Sequence, residues 1–134
     1  MANILSIGQG FPTSIVRYQF SPAVGKTFAA GDLVYQLDAS TVDYATLADG
    51  DDYQVYTVLE GNDTYSGSTT KKVVCIAGVF SFSSQNYQTG SYTVGTPLTA
   101  DTGKFAIKTG TKKVLGHVMD FSISNGVKVL WFSA

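Results

Sequence analysis

Short runs of β-branched and aromatic residues recur along the chain, separated by clusters of Gly, Asn, Asp and Ser. Such punctuation belongs to strands joined by turns rather than to helices. Strands are predicted over residues 14–20, 32–37, 53–59, 72–82, 105–108, 113–119 and 126–132. In the last of these, Val127, Val129 and Trp131 share one face while Lys128, Leu130 and Phe132 share the other. With apolar residues on both faces, that strand is expected inside a sheet. The Asn125-Gly126 pair, between residues 121–123 and 127–129, is the strongest hairpin signal. The best competing helix spans residues 41–48, but Thr41, Val42 and Thr46 are β-branched and the segment is short. Residues 1–13 lack a core pattern and are expected as an extended N-terminal arm, and residues 62–70 as an exposed loop. The expected fold is therefore all-β, a compact single-domain barrel or sandwich over residues 14–134 preceded by the arm.

Composition refines that expectation. A chain of 134 residues is the size of one domain and buries roughly 68% of its unfolded surface, enough to fold without metal or disulfide staples. The single Cys75 lies in the apolar run Val73-Val74-Cys75-Ile76-Ala77 and is expected as a small buried hydrophobe. Charged residues form only 14% of the chain and the net charge is −1, so no basic field exists to hold nucleic-acid phosphates. No apolar run approaches a membrane span, and the N-terminus has no secretory pattern, which leads us to expect a cytoplasmic protein or one assembled into a particle there. Charge is nevertheless divided. Residues 27–70 carry eight carboxylates and no Lys or Arg, giving −8, and the remainder carries +7. The two sets can meet within one monomer, or head to tail between copies in a ring.

Candidate chemistry is sparse. The one histidine, His117, has no nominated nucleophile or orienting partner, and alternation puts it with Leu115 and Met119 on one strand face, so it is expected to be structural. Gly25-Lys26-Thr27 cannot end a phosphate loop, because Phe20 stands where that motif needs glycine. Asp49, Asp51 and Glu60 occupy the first, third and twelfth positions of a calcium loop, but Tyr53 replaces a ligand and Gln54 the turn glycine. A looser cation site at Asp49, Asp51 and Asp52 stays open, zinc has no ligand set, and no cofactor or catalytic residue is expected. Phe80, Phe82, Phe105, Phe121, Trp131 and Phe132 are assigned to core, and Tyr53, Tyr56, Tyr65, Tyr87 and Tyr92 to contact surface.

Four segments in order carry a resemblance: Phe28-Ala29-Ala30-Gly31-Asp32-Leu33-Val34-Tyr35, Val73-Val74-Cys75-Ile76-Ala77-Gly78-Val79-Phe80, Tyr92-Thr93-Val94-Gly95-Thr96-Pro97-Leu98-Thr99, and Val114-Leu115-Gly116-His117-Val118-Met119 followed by residues 126–132. As an ordered set the chain resembles the capsid decoration (cement) proteins of tailed phages, similar in role to the lambda head-decoration protein; residues 53–70 fit that pattern poorly. The resemblance implies a homotrimer on the outside of the assembled, expanded head at three-fold or quasi-three-fold sites, with the major capsid protein as partner. Residues 1 to about 20 are then the shell-contacting element, with Ile4, Leu5, Ile7, Phe11 and Ile15 as apolar anchors. The alternative is a phage fibre or baseplate domain, or a β domain that binds a host sugar.

Overall fold

The computed structural model describes residues 5–7, 15–62 and 72–132, the first segment through its backbone pairing alone. Every regular element among the described residues is a strand, so the all-β expectation holds. In chain order these are β1 (Leu5–Ile7), β2 (Val16–Pro22), β3 (Leu33–Gln36), β4 (Thr41–Tyr44), β5 (Val55–Glu60), β6 (Val73–Ala77), β7 (Phe80–Ser84), β8 (Pro97–Asp101), β9 (Lys104–Ile107), β10 (Gly116–Ser122) and β11 (Gly126–Trp131). They form a closed barrel in the order β2-β4-β3-β5-β6 and a six-stranded sheet in the order β1-β7-β11-β10-β8-β9. The sheet is antiparallel throughout, and β2 with β4 is the one parallel pair of the barrel.

Three departures from the sequence expectation have local causes. The single strand predicted over residues 72–82 is two, because the chain turns at Gly78, whose φ of 126° is a conformation that side-chain-bearing residues avoid. β6 ends in the barrel and β7 begins in the sheet, so this turn links the two layers. The first half of the competing helix is strand β4, held by pairing with β3 from Val34↔Tyr44 to Gln36↔Val42. Asp38 Oδ1 shapes the connecting turn by accepting the Ser40 and Thr41 N–H groups at 2.9 Å each, bonds that hold its carboxyl below the usual carboxylate range, the Ser40 one foremost. β8, absent from the predicted strands, pairs with β9 across a two-residue turn at Thr102 and Gly103, both with positive φ.

Two cores share one wall. Phe20, Phe28, Val34, Val42, Tyr56, Val58, Val73 and Cys75 fill the barrel. Leu33, Val55 and Ile76, on the opposite faces of β3, β5 and β6, pack against Phe80, Phe82, Leu98, Phe105, Val127, Val129 and Trp131 of the sheet. All four residues 55–58 are buried, because this strand meets a core on each of its faces. Trp131 stacks on Phe80 with centroids 5.8 Å apart and meets Phe105 edge-on at 6.1 Å. A buried polar junction also ties the layers together. Asn86 Nδ2 donates to Asp32 Oδ1 at 2.8 Å, Gly103 O at 2.9 Å and Gly31 O at 3.2 Å, and Asp32 Oδ2 accepts the Ala29 N–H at 2.8 Å.

Candidate interaction surface

The strand edges that remain open are where this fold can take another chain. β1 begins the sheet order, pairing with β7 in the register Leu5↔Ser84, Ser6↔Ser83 and Ile7↔Phe82, and no described strand lies along its other edge. In the barrel, β2 pairs with β6 from Val16↔Ala77 to Phe20↔Val73, but with β4 only at Ser21↔Thr41 and Pro22↔Val42. Residues 16–19 therefore project past β4 with one backbone edge unpaired by any described strand. All four are exposed, Val16 at 49% and Tyr18 at 41%. An exposed strand edge with apolar side chains is a template for strand addition.

Of the predicted anchors, Leu5 and Ile7 fall in β1, while Ile4 and Phe11 lie outside the described residues. Ile15 is half-buried and packs against the larger core. Val16 and Tyr18, next along the chain, are the exposed residues that period-2 alternation alone did not single out. Tyr18 stacks on Phe20 at 5.9 Å and meets Tyr56 edge-on at 5.4 Å, so its ring is braced at one side of the open edge.

The candidate chemical groups are dispersed. Cys75 is buried in the barrel and burial pushes its thiol up to about 12, which keeps it protonated and unreactive. His117 is exposed with its ring 5.0 Å from that of Phe132. Leu115 does not share its face: it is fully buried, because the strand starts at Gly116 and the alternation does not extend into the irregular residues 112–115. The three carboxylates of the possible cation site have separate engagements. Asp49 Oδ1 accepts the Thr111 N–H at 2.9 Å, Asp51 Oδ2 accepts the Ala48 N–H at 2.9 Å, and Asp52 pairs with Lys113 at 3.6 Å. Among the described residues no three His, Cys, Asp or Glu side chains gather into a metal-binding group.

Searches against family models, curated proteins and solved structures each return no match.

The aromatic assignments need correction. Tyr56 and Tyr92, expected on the contact surface, are buried at 7% and 6% exposure, while Phe132, expected in the core, is exposed. Tyr56 points into the barrel with its hydroxyl on Gln36 Oε1 at 2.9 Å; Tyr92 reaches Gln88 O at 2.6 Å. Each ring is buried while its hydroxyl reaches an acceptor at the edge of the core, the exposed Gln36 side chain for Tyr56 and the half-buried Gln88 backbone for Tyr92, which is what lets a tyrosine be core. Tyr53 and Tyr87 are half-buried, and Tyr65 lies outside the described residues. The divided charge does meet within the chain: Lys26 pairs with Asp43 at 3.8 Å and Lys113 with Asp52, each joining the basic remainder to the acidic stretch. With one partner of each pair largely exposed, these contacts orient the surface more than they stabilise it.

Proposed function

We propose that the protein is a non-enzymatic structural component of a phage particle, a decoration protein that binds the outer surface of the assembled head as a homotrimer and stabilises the shell. The observation that carries the proposal is the unpaired edge along residues 16–19, continuous in sequence with the N-terminal segment whose residues 5–7 border the sheet. Strand addition along such an edge supplies backbone hydrogen bonds without any pocket. Repetition over an icosahedral lattice turns modest contacts into strong net binding. The ordered resemblance of the β segments to the decoration proteins supports the same assignment, as does the dispersal of His117, Cys75 and the carboxylates into separate surroundings.

The test is to mix purified protein with undecorated expanded heads and count bound copies, using the full chain, a variant lacking residues 2–13, and Val16→Lys. The full chain is expected to saturate the heads and to sediment as a trimer, and both variants to fold but bind with weaker affinity. Wild-type decoration by both variants removes the N-terminal edge from the mechanism. A monomer both free and bound removes the trimer, and failure of the full chain to bind any expanded head overturns the assignment.

A further inference from the structure

The outer face of the six-stranded sheet carries a depression of about 300 Å³ lined by Ser83 of β7, Asp120, Phe121 and Ser122 of β10, Asn125 and Gly126 of the hairpin, and Lys128 of β11. Its polar groups are aligned by register: Asp120 stands opposite Lys128, and Lys128 opposite Ser83, so three adjacent strands present a carboxylate, an ammonium and a hydroxyl in one row. This row depends on an irregularity. His117 pairs with Leu130 and Val118 with Val129, which in regular register would put Met119 opposite Lys128; the shift between Val118 and Asp120 brings Asp120 there instead. Bulges of this kind re-aim a side chain.

Opposite charges facing each other across two strands ordinarily close on one another. Here they do not: among the described residues the ion pairs are Lys26 with Asp43 and Lys113 with Asp52. Asp120 Oδ1 accepts the Phe121 N–H at 2.8 Å, and Oδ2 has no hydrogen-bond partner among the described residues. The Lys128 ammonium, the Ser83 hydroxyl and the Asn125 side-chain amide likewise make no hydrogen bond to a described residue, while the Asn125 backbone N–H is fixed by Ser122 Oγ at 3.0 Å. The hairpin is held in place by Ser122, while the Asn125 amide and the Lys128 ammonium face outward without a partner among the described residues.

We infer that this depression binds one sugar residue of a glycan, with Asp120, Asn125 and Lys128 as its polar contacts. A carboxylate only accepts hydrogen bonds and an ammonium only donates them. A hydroxyl does both at once, so neighbouring hydroxyls on one ring satisfy Asp120 and Lys128 together, and the Asn125 amide serves a further one. Anions are repelled by Asp120, simple cations by Lys128, and a metal ion finds one carboxylate alone. A zwitterion matches the two charges but leaves the Asn125 side-chain amide and the Ser83 hydroxyl without a partner. Phe121 borders the depression but turns its ring toward Tyr87 and Tyr92 on the core face, where its register partner Val127 lies, so the aliphatic stem of Lys128 supplies the apolar contact for the C–H groups of the sugar ring, and the volume matches the small end of ligand sites. The depression opens from the face of the sheet, so a strand added at the edge of β1 leaves it free, and the inference stands apart from particle binding.

The test is a titration of the isotope-labelled full-length protein with methyl glycosides of glucose, galactose, mannose and N-acetylglucosamine at millimolar concentrations, followed by amide chemical shifts, with glycine as the zwitterionic probe. At least one glycoside is expected to give saturable shifts clustered at Ser83, residues 120–122, Asn125, Gly126 and Lys128, insensitive to added salt. Asp120→Asn, which keeps the acceptor for the Phe121 N–H, and Lys128→Met, which keeps the aliphatic stem, are each expected to weaken that binding roughly tenfold or more while preserving the remaining spectrum. The inference is overturned if no glycoside gives saturable shifts, if the shifts cluster elsewhere or survive both substitutions, or if glycine binds more tightly and is displaced by salt.

Discussion

Burial raises the Cys75 thiol from its ordinary 9.0 to about 12, and that shift has a signed consequence for stability. Below pH 9 the thiol is protonated in both folded and unfolded chains and adds no pH dependence. Between about pH 9 and 12 the unfolded chain loses the proton while the folded chain keeps it, so stability falls as pH rises, at most by about 1.4 kcal/mol per unit. Tyr92, raised from 10.0 to about 12 first by desolvation and then by Tyr87, adds to the decline at the higher end of that range. Urea unfolding in steps from about pH 8 to 11 is expected to show the decline, and Cys75→Val to flatten its first part, where tyrosine does not yet ionise. The burial of Cys75 was evident in its apolar neighbours. That of Tyr56 and Tyr92 was not, because a tyrosine near polar loops becomes core only when a specific acceptor, Gln36 Oε1 or Gln88 O, reaches its hydroxyl.

The hairpin of β10 and β11 shows what a short segment can dictate. Its strands pair Ser122 with Gly126, so residues 123–125 form the connection, and Gly126 adopts a φ of 76°. A Cβ there would lie 2.2 Å from Ser84 O, the backbone of the neighbouring β7 region, in addition to the strain of the positive φ. Gly126→Ala is therefore expected to destabilise the protein by about 2–3 kcal/mol in chemical denaturation, against a change within about 0.5 kcal/mol for Val24→Ser at a fully exposed turn. The turn chemistry was plain from Asn125-Gly126. The close approach to Ser84 was not, since β7 is far away in sequence and any apolar strand would have satisfied the pattern.

For the molecule as a whole, the shared wall of β3, β5 and β6 makes the two cores interdependent. Unfolding the sheet would strip Leu33, Val55 and Ile76 of their cover, and opening the barrel would remove the surface on which the sheet packs. The Asn86–Asp32 junction couples the same layers through buried hydrogen bonds. The sole tryptophan, Trp131, reports the sheet core, and Cys75 reports the barrel. Urea transitions followed by Trp131 fluorescence and by thiol labelling of Cys75 are expected to coincide, as for a single cooperative unit. Barrel labelling that precedes loss of the fluorescence signal would show two separable bodies.

Local period and turn composition determined the all-β class, the final hairpin, the interior place of the last strand in its sheet, and the inert setting of Cys75. These depend on alternation and backbone geometry, which a residue and its near neighbours fix by themselves. The division of residues 72–82 between barrel and sheet, the pairing that makes residues 41–44 a strand, the open edge at residues 16–19 and the row of Asp120, Lys128 and Ser83 were decided only by the tertiary structure. Each depends on which distant strand lies alongside. Backbone hydrogen bonds and apolar burial are available from many partners, so the choice among them belongs to the closed fold and not to any single segment.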